Sequence, residues 1–281
     1  MKKWTTLLAV ATLSLGLAAC NETATPTKET DVTQTSKLTL KEVYDKSIKV
    51  SEELKSVKAV VDMKQTMHLP DQDLNLDFSS IMDMEYIIEP MQIYQKGTTT
   101  MLGADEMEDQ VMDIESYITK DAFYMYEGTT KQWMKFPQEM MEQLMSATDQ
   151  SNPVAQLKTI ESYLEDFTFE QDKKNYILTL EASGEKFTKL VQAQVNETLQ
   201  NMVGDQEEMN MDMTINSLNY LIHIDKDSFQ TNKVDLVLDM DMMIDGEKVN
   251  MKQNVKSDFS NFNKIDEIVI PQEVIDSAVE I

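Results

Sequence analysis

The 281-residue sequence contains no arginine; all 25 basic residues are lysine. The planar guanidinium fork that grips phosphates and reads base edges is therefore missing. Fifty acidic residues bring the formal charge to −25, a field that repels a phosphate backbone. Nucleic acid is excluded as a partner on both counts. There is one cysteine, Cys20, so no disulfide can form within the chain. The two histidines, His68 and His223, sit in no recognisable nucleophile–base motif, and the carboxylates are too numerous for any pair to stand out as an acid/base couple. The composition points away from an enzyme and calls for no cofactor or metal.

Long apolar runs are equally scarce, and the one present lies at the N-terminus. Lys2 and Lys3 precede an apolar stretch from Thr5 to Leu17, shorter than the roughly 20 residues a bilayer span needs. It fits the h-region of a secretory signal. The following "LAAC", Leu17 to Cys20, resembles the lipobox of bacterial lipoproteins, a class in which the peptide is cut before the cysteine and the cysteine takes the lipid, palmitate included. The plain alternative is an ordinary signal with an unrelated cysteine. The expected organisation is a signal peptide over 1–19, a lipidated Cys20 with a Thr-rich tether over 20–37, and a single body over 38–281. Such a protein sits on the extracytoplasmic face of the cell membrane, with a formal charge of −27 once Lys2 and Lys3 are gone. An arginine-free, Met-rich composition also fits an AT-rich genome, as in low-GC Gram-positive bacteria. A sixteen-residue polar tether spans about 20–24 Å as a flexible coil.

In the body, Leu40, Val43, Tyr44, Ile48, Val50 and Leu54 recur at helical spacing over 38–56. The period then drops to two. Val61, Met63, Met67 and Leu69 alternate with polar residues, "PDQD" supplies a turn, and a single phase runs from Leu74 to Ile88. Near the C-terminus, Asp245-Gly246 suits a two-residue hairpin turn. That tip sets Met242 opposite Val249, Met240 opposite Met251 and Leu236 opposite Val255, with Asp239–Lys252 and Asp235–Lys256 on the other face. Helices are expected in "PQEMMEQLMSA", in "NPVAQLKTIESYLEDF" behind Asn152 and Pro153, and in "GEKFTKLVQAQVNETLQNM". Acidic loops are expected at 103–110 and 204–208. Segregated strands and helices read as α+β, with an antiparallel sheet backed by helices.

Four segments resemble parts of the LolA and LolB lipoprotein carriers and the LppX-type carriers: "EPMQIYQKG", "ESYITKDAFYMYEGTTKQWMKF", "NPVAQL" and "FNKIDEIVIPQEVID", the last as a closing strand. Lipoproteins of Gram-positive bacteria with this architecture are similar in style. The resemblance spans roughly 38–281. It implies a strongly curved antiparallel sheet, an incomplete β-barrel, covered by helices and holding acyl chains in the space between. The arginine important in some of these carriers has no counterpart here, which argues against transfer between two membranes.

Twenty-two methionines fall largely on apolar phases. Methionine is unbranched and polarizable and lines surfaces that accept varied ligands; it also simply fills loosely specified cores. The ligand-facing candidates are Met63, Met67, Leu76, Phe78, Met82, Met84, Tyr86, Met211, Met213, Leu238, Met240, Met242 and Met251. "MNMDM" offers thioethers to a soft cation such as Cu(I), but reads better as a half-buried strand edge. "DQDLNLDF" lacks the glycine and the glutamate of a calcium loop and reads as the solvent face of a strand. His68 falls on the polar phase, and His223 in "YLIHID" is expected at the surface or hydrogen-bonded. The expectation is a membrane-anchored protein that binds a lipid or other apolar ligand in a Met-lined cavity. The alternative is an envelope module that docks a protein partner, with its core filled.

Overall fold

The computed structural model describes residues 23–27, 36–102, 108–138, 140, 160–184, 187–188, 192, 213–244 and 247–281. Its centre is one thirteen-stranded sheet. The first strands are β1 (Thr25–Pro26), β2 (Ser56–Leu69), β3 (Leu74–Ile87), β4 (Gln92–Leu102), β5 (Gln110–Ile118), β6 (Phe123–Glu127) and β7 (Gln132–Phe136). The others are β8 (Thr168–Gln171), β9 (Asn175–Ala182), β10 (Met213–Asp225), β11 (Thr231–Ile244), β12 (Glu247–Ser260) and β13 (Val279–Glu280). Their order is β1-β8-β9-β10-β11-β12-β2-β3-β4-β5-β6-β7-β13. The two meanders β2–β7 and β8–β12 are thus sewn together by the antiparallel β12–β2 pair. Among the described residues only the two-residue edge strands β1 and β13 pair in parallel. β1 and β13 have no common neighbour, so the sheet is curved but unclosed. Register shifts between Ile215 and Ser217 and between His223 and Ile224 contribute bends, since a bulge sharpens local twist.

Strict alternation makes β2 and β3 a long hairpin, paired from Ser56–Ile87 to Leu69–Leu74. A 3-10 turn at Pro70–Gln72 closes it, with Asp73 at φ 48°, a left-handed conformation that Asp tolerates. The C-terminal hairpin has the register read from its tip. Met242 pairs with Val249, Met240 with Met251 and Leu236 with Val255, and Ile244–Glu247 leaves two residues between the strands. On the opposite face Lys252 reaches Asp239 at 3.4 Å. Asp235 is in register with Lys256, while its ion pair goes to Lys233 at 3.1 Å.

Helix α1 (Leu40–Glu52) opens on a capping box. The Glu42 backbone N–H donates to Thr39 Oγ1 at 3.3 Å and the Thr39 N–H to Glu42 Oε2 at 2.9 Å, which satisfies two otherwise orphaned donors. The helix stops earlier than the periodicity predicts because Ser56 already belongs to β2. Leu40, Val43 and Tyr44 pack into the main core with Leu178, Ile222 and Ile224. The sheet face that carries α1 is called the inner face below.

The expected cover of helices is overstated. Among the described residues the α-helices seen end to end are α1 and the short α2 (Gln272–Ser277), and Gln138, Met140, Ile160, Phe187, Thr188 and Gln192 are helical as well. Residues 161–166 of the second expected helix form a 3-10 turn. Most of the first and third expected helices, and residues 103–107 and 204–208 of the acidic loops, lie outside the described residues. The expected closing strand over 262–276 is also corrected. This stretch crosses the outer face as an extended strap, begun by left-handed Asn261 and Asn263 and continued into α2. It is pinned by Asn263 N–H to Ser56 O at 2.7 Å, Ile265 N–H to Ser56 Oγ at 3.0 Å and Ile268 N–H to Gln92 Oε1 at 3.2 Å. Those bonds replace a sheet ladder, so hydrophobic alternation there serves packing rather than pairing.

Part of the stretch read as a tether is held on the body. β1 lies along β8, Ala24 is buried in the main core, and Thr23 bridges Thr39. The buried Gln171 amide donates to Ala24 O at 2.6 Å, and its oxygen accepts from Ser36 N–H at 3.2 Å and Lys226 Nζ at 2.8 Å.

A methionine-rich candidate binding face

The two covering elements lie on opposite faces of the sheet. α1 covers the inner face of β8–β12. The strap and α2 cover the outer face of β3–β7, where Ile268 and Val274 pack with Ile87, Tyr117 and Tyr124. Strand alternation therefore leaves the inner face of β2–β6, apart from Met67 and Leu69, in neither core cluster. Its half-buried side chains include Met63, Gln65, Phe78, Met82, Met84, Gln95, Thr99, Met101, Ile114 and Met125, while Val57, Ala59, Ser80, Ile93, Ser116 and Ile118 on the same phase are buried.

Cross-strand register orders this face into rows. One row runs Ala59, Met84, Gln95, Ser116, Met125, Met134. The next runs Val61, Met82, Gly97, Ile114, and a third runs Val255, Met63, Ser80, Thr99. At one end Tyr86 donates its hydroxyl to Met84 Sδ at 3.2 Å, and burial pushes that phenol up to about 12, so it stays a neutral donor. Phe123 and Phe136 stack at 4.3 Å nearby. Strands β2–β7 and β11–β12 place no lysine on this face; its acids there are Glu247, at the start of β12, and Glu127, at the end of β6, the latter held ionised at about 2 by hydrogen bonds from Thr130 and Thr129.

The twelve described candidates named from the sequence share the inner face; Met211, like Cys20, lies outside the described residues. They divide by burial. Met213, Leu238, Met240 and Met242 are core residues, and Met67 and Met251 flank that core. Met63, Leu76, Phe78, Met82, Met84 and Tyr86 belong to the half-buried part. Met101, Met125, Met134, Gln95 and Ser116 escaped the sequence reading. Their strands are short or broken by Gly97 and polar residues. Among the described residues a cavity of about 50 Å³ lies between the last turn of α1 and β10–β12, bordered by Val50, Leu54, Tyr220, Val234, Phe259 and Phe262. Ligand sites usually measure several hundred Å³.

His223 corrects the expectation of a surface or hydrogen-bonded role. It sits on the outer face in register with Ile177 and Lys233, and its Nε2 is buried without a partner. Burial first, then Lys233, pushes its pKa down, against Asp172, Asp235 and Asp258. His68 Nδ1 lies 2.8 Å from Asn75 Oδ1 at the surface. Asn75 and Asp77, the supposed calcium ligands, are on the outer phase of β3.

A sequence family described as a family of unknown function (DUF6612) matches residues 39–279. The chain belongs to that family. No curated protein matches it. Among solved structures, this DUF6612 chain is similar to the Mycobacterium tuberculosis lipoprotein LppX, with 13% identity over 82% of this chain and 98% of that one and a TM-score of 0.39. A DUF1329 family protein from Desulfovibrio piger shares 9% identity over 82% and 95% of the two chains, with a TM-score of 0.22. A beta-barrel-like protein of the DUF1849 domain from Brucella abortus shares 11% identity over 74% and 99%, with a TM-score of 0.24. Scores this low leave function to be read from the chain's own side chains.

Proposed function

We propose that the protein is a non-enzymatic lipoprotein, anchored through Cys20 to the extracytoplasmic face of the cell membrane, that binds a lipid or other apolar ligand. The ligand lies against the inner face of β2–β6. The observation behind this is the half-buried Met- and Phe-bearing surface that belongs to neither core cluster. A contiguous apolar surface of this kind marks a site of interaction, and thioether side chains adapt to acyl chains of varied shape.

The test is mass spectrometry of lipids that co-purify with the mature protein from its own host, joined to displacement of an apolar naphthylamine probe. Retained lipid, or a lipid that displaces the probe, is the expected result. If no lipid is retained and none competes, the ligand reading fails and the face is a docking surface for an envelope protein. Separately, Cys20→Ser is expected to leave the membrane fraction; a variant that stays bound overturns the anchor.

A further inference from the structure

Polar side chains on the inner face come in cross-strand pairs, and one pair stands apart. Gln253 Nε2 donates to Gln65 Oε1 at 3.4 Å, and Thr99 Oγ1 donates to Ser80 Oγ at 3.2 Å. Each of these pairs satisfies itself. Ser116 and Gln95 are in register across β4 and β5, so their Cβ atoms stand about 5 Å apart. Yet Ser116 is 1% exposed and its hydroxyl has no hydrogen-bond partner among the described residues. The Gln95 amide makes no side-chain hydrogen bond among the described residues. A buried hydroxyl without a partner is costly, and this one is aimed into a row bounded by Met84 and Met125.

We infer that Ser116 and Gln95 are a polar anchor for the carbonyl of a neutral long-chain ester, such as an acylglycerol, whose chain lies along the methionines. The inference rests on the ligand reading of this face. The Ser116 hydroxyl and the Gln95 NH₂ both donate, and an ester carbonyl has two lone pairs to accept them. Met84 and Met125 are the register neighbours of the pair, and flexible thioether side chains swing aside at little cost. A free carboxylate or phosphate is disfavoured: these strands place no lysine on the face, and the ionised Glu127 ends the neighbouring row, in register with Ile114. Burying an unpaired anion there is expensive.

The experiment uses the mature protein and three probes in the same displacement assay: monooleoylglycerol, oleate and a C18 hydrocarbon. Monooleoylglycerol is expected to bind about five- to tenfold tighter than the hydrocarbon and oleate, the worth of one net hydrogen bond. Ser116→Ala and Gln95→Leu should each erase that preference while hydrocarbon affinity holds, which also shows that the face is intact. If hydrocarbon and ester bind equally in the wild type, or if the variants keep the preference, the anchor is overturned and the ligand face stands. If none of the three binds, the ligand face falls and the anchor with it.

Discussion

Gly97 and Met82 face one another across β3 and β4, and the contact tolerates no side chain at residue 97. A Cβ there would stand 2.0 Å from the carbonyl oxygen of Ile81 and 2.7 Å from Met82 Sδ. Gly97→Ala is therefore expected to destabilise the fold by about 1–3 kcal/mol, as overpacking does. Adding Met82→Ala should not restore stability, because the nearer obstacle is backbone. Urea denaturation of the two variants checks this. Full rescue by the double variant would show that the thioether alone sets the limit.

Burial separates two groups of inner-face residues, and their substitutions should part company. Met240 is 4% exposed in the main core, so Met240→Ala should cost about 2–5 kcal/mol. Phe78, half-buried and outside both clusters, should lose far less stability as Phe78→Ala and more affinity for the naphthylamine probe. Thermal melts beside probe titrations separate the two effects.

Gln171 is a clip on the N-terminal segment. Gln171→Leu keeps the side-chain volume but cuts its bonds to Ala24 O, Ser36 N–H and Lys226 Nζ. Leaving the buried Ala24 carbonyl unpaired costs about 1–3 kcal/mol, so β1 should detach before the rest of the sheet. Hydrogen exchange at the Thr27 amide, which donates to Gln171 O at 3.0 Å, should quicken selectively. With β1 docked, the three residues from Cys20 to Thr23 reach at most about 10 Å. If Cys20 carries the proposed lipid, detachment lengthens its leash.

His223 makes stability depend on pH in a defined direction. Its folded-state pKa lies below the ordinary 6.5, so between the two values the unfolded chain binds the proton more readily than the folded one. Stability attributable to this residue is full above about 6.5 and falls as pH drops toward the folded pKa. His223→Gln should flatten the slope of unfolding free energy between pH 7 and 5 relative to wild type. Equal slopes would show that Nε2 is readily solvated on protonation.

The strands were legible because alternation is a local property. Leu74–Ile87 and the Met240–Met251 register follow from period two and a two-residue turn, both contained in short stretches of chain. The strap over 261–271 was not legible. Its residues alternate like a strand, and distant partners, Ser56 and Gln92, take up the backbone donors of Asn263, Ile265 and Ile268. Nor could Ser116 be noticed: one serine among apolar neighbours means little until Gln95 is set beside it from another strand.

By itself the sequence determined which side chains share a face, since every residue of a strand points to the side opposite its neighbours. It also determined the absence of any cationic fork, because no arginine exists to supply one. Only the tertiary structure decided which part of that face is core and which is surface. α1 and the strap lie far from each other in sequence and cover opposite sides of the same sheet. Burial depends on what comes to rest against a face, and that is a contact between segments remote along the chain. Met240 and Met84 therefore obey the same local pattern, yet one is packed in the core and the other stays half-buried outside it.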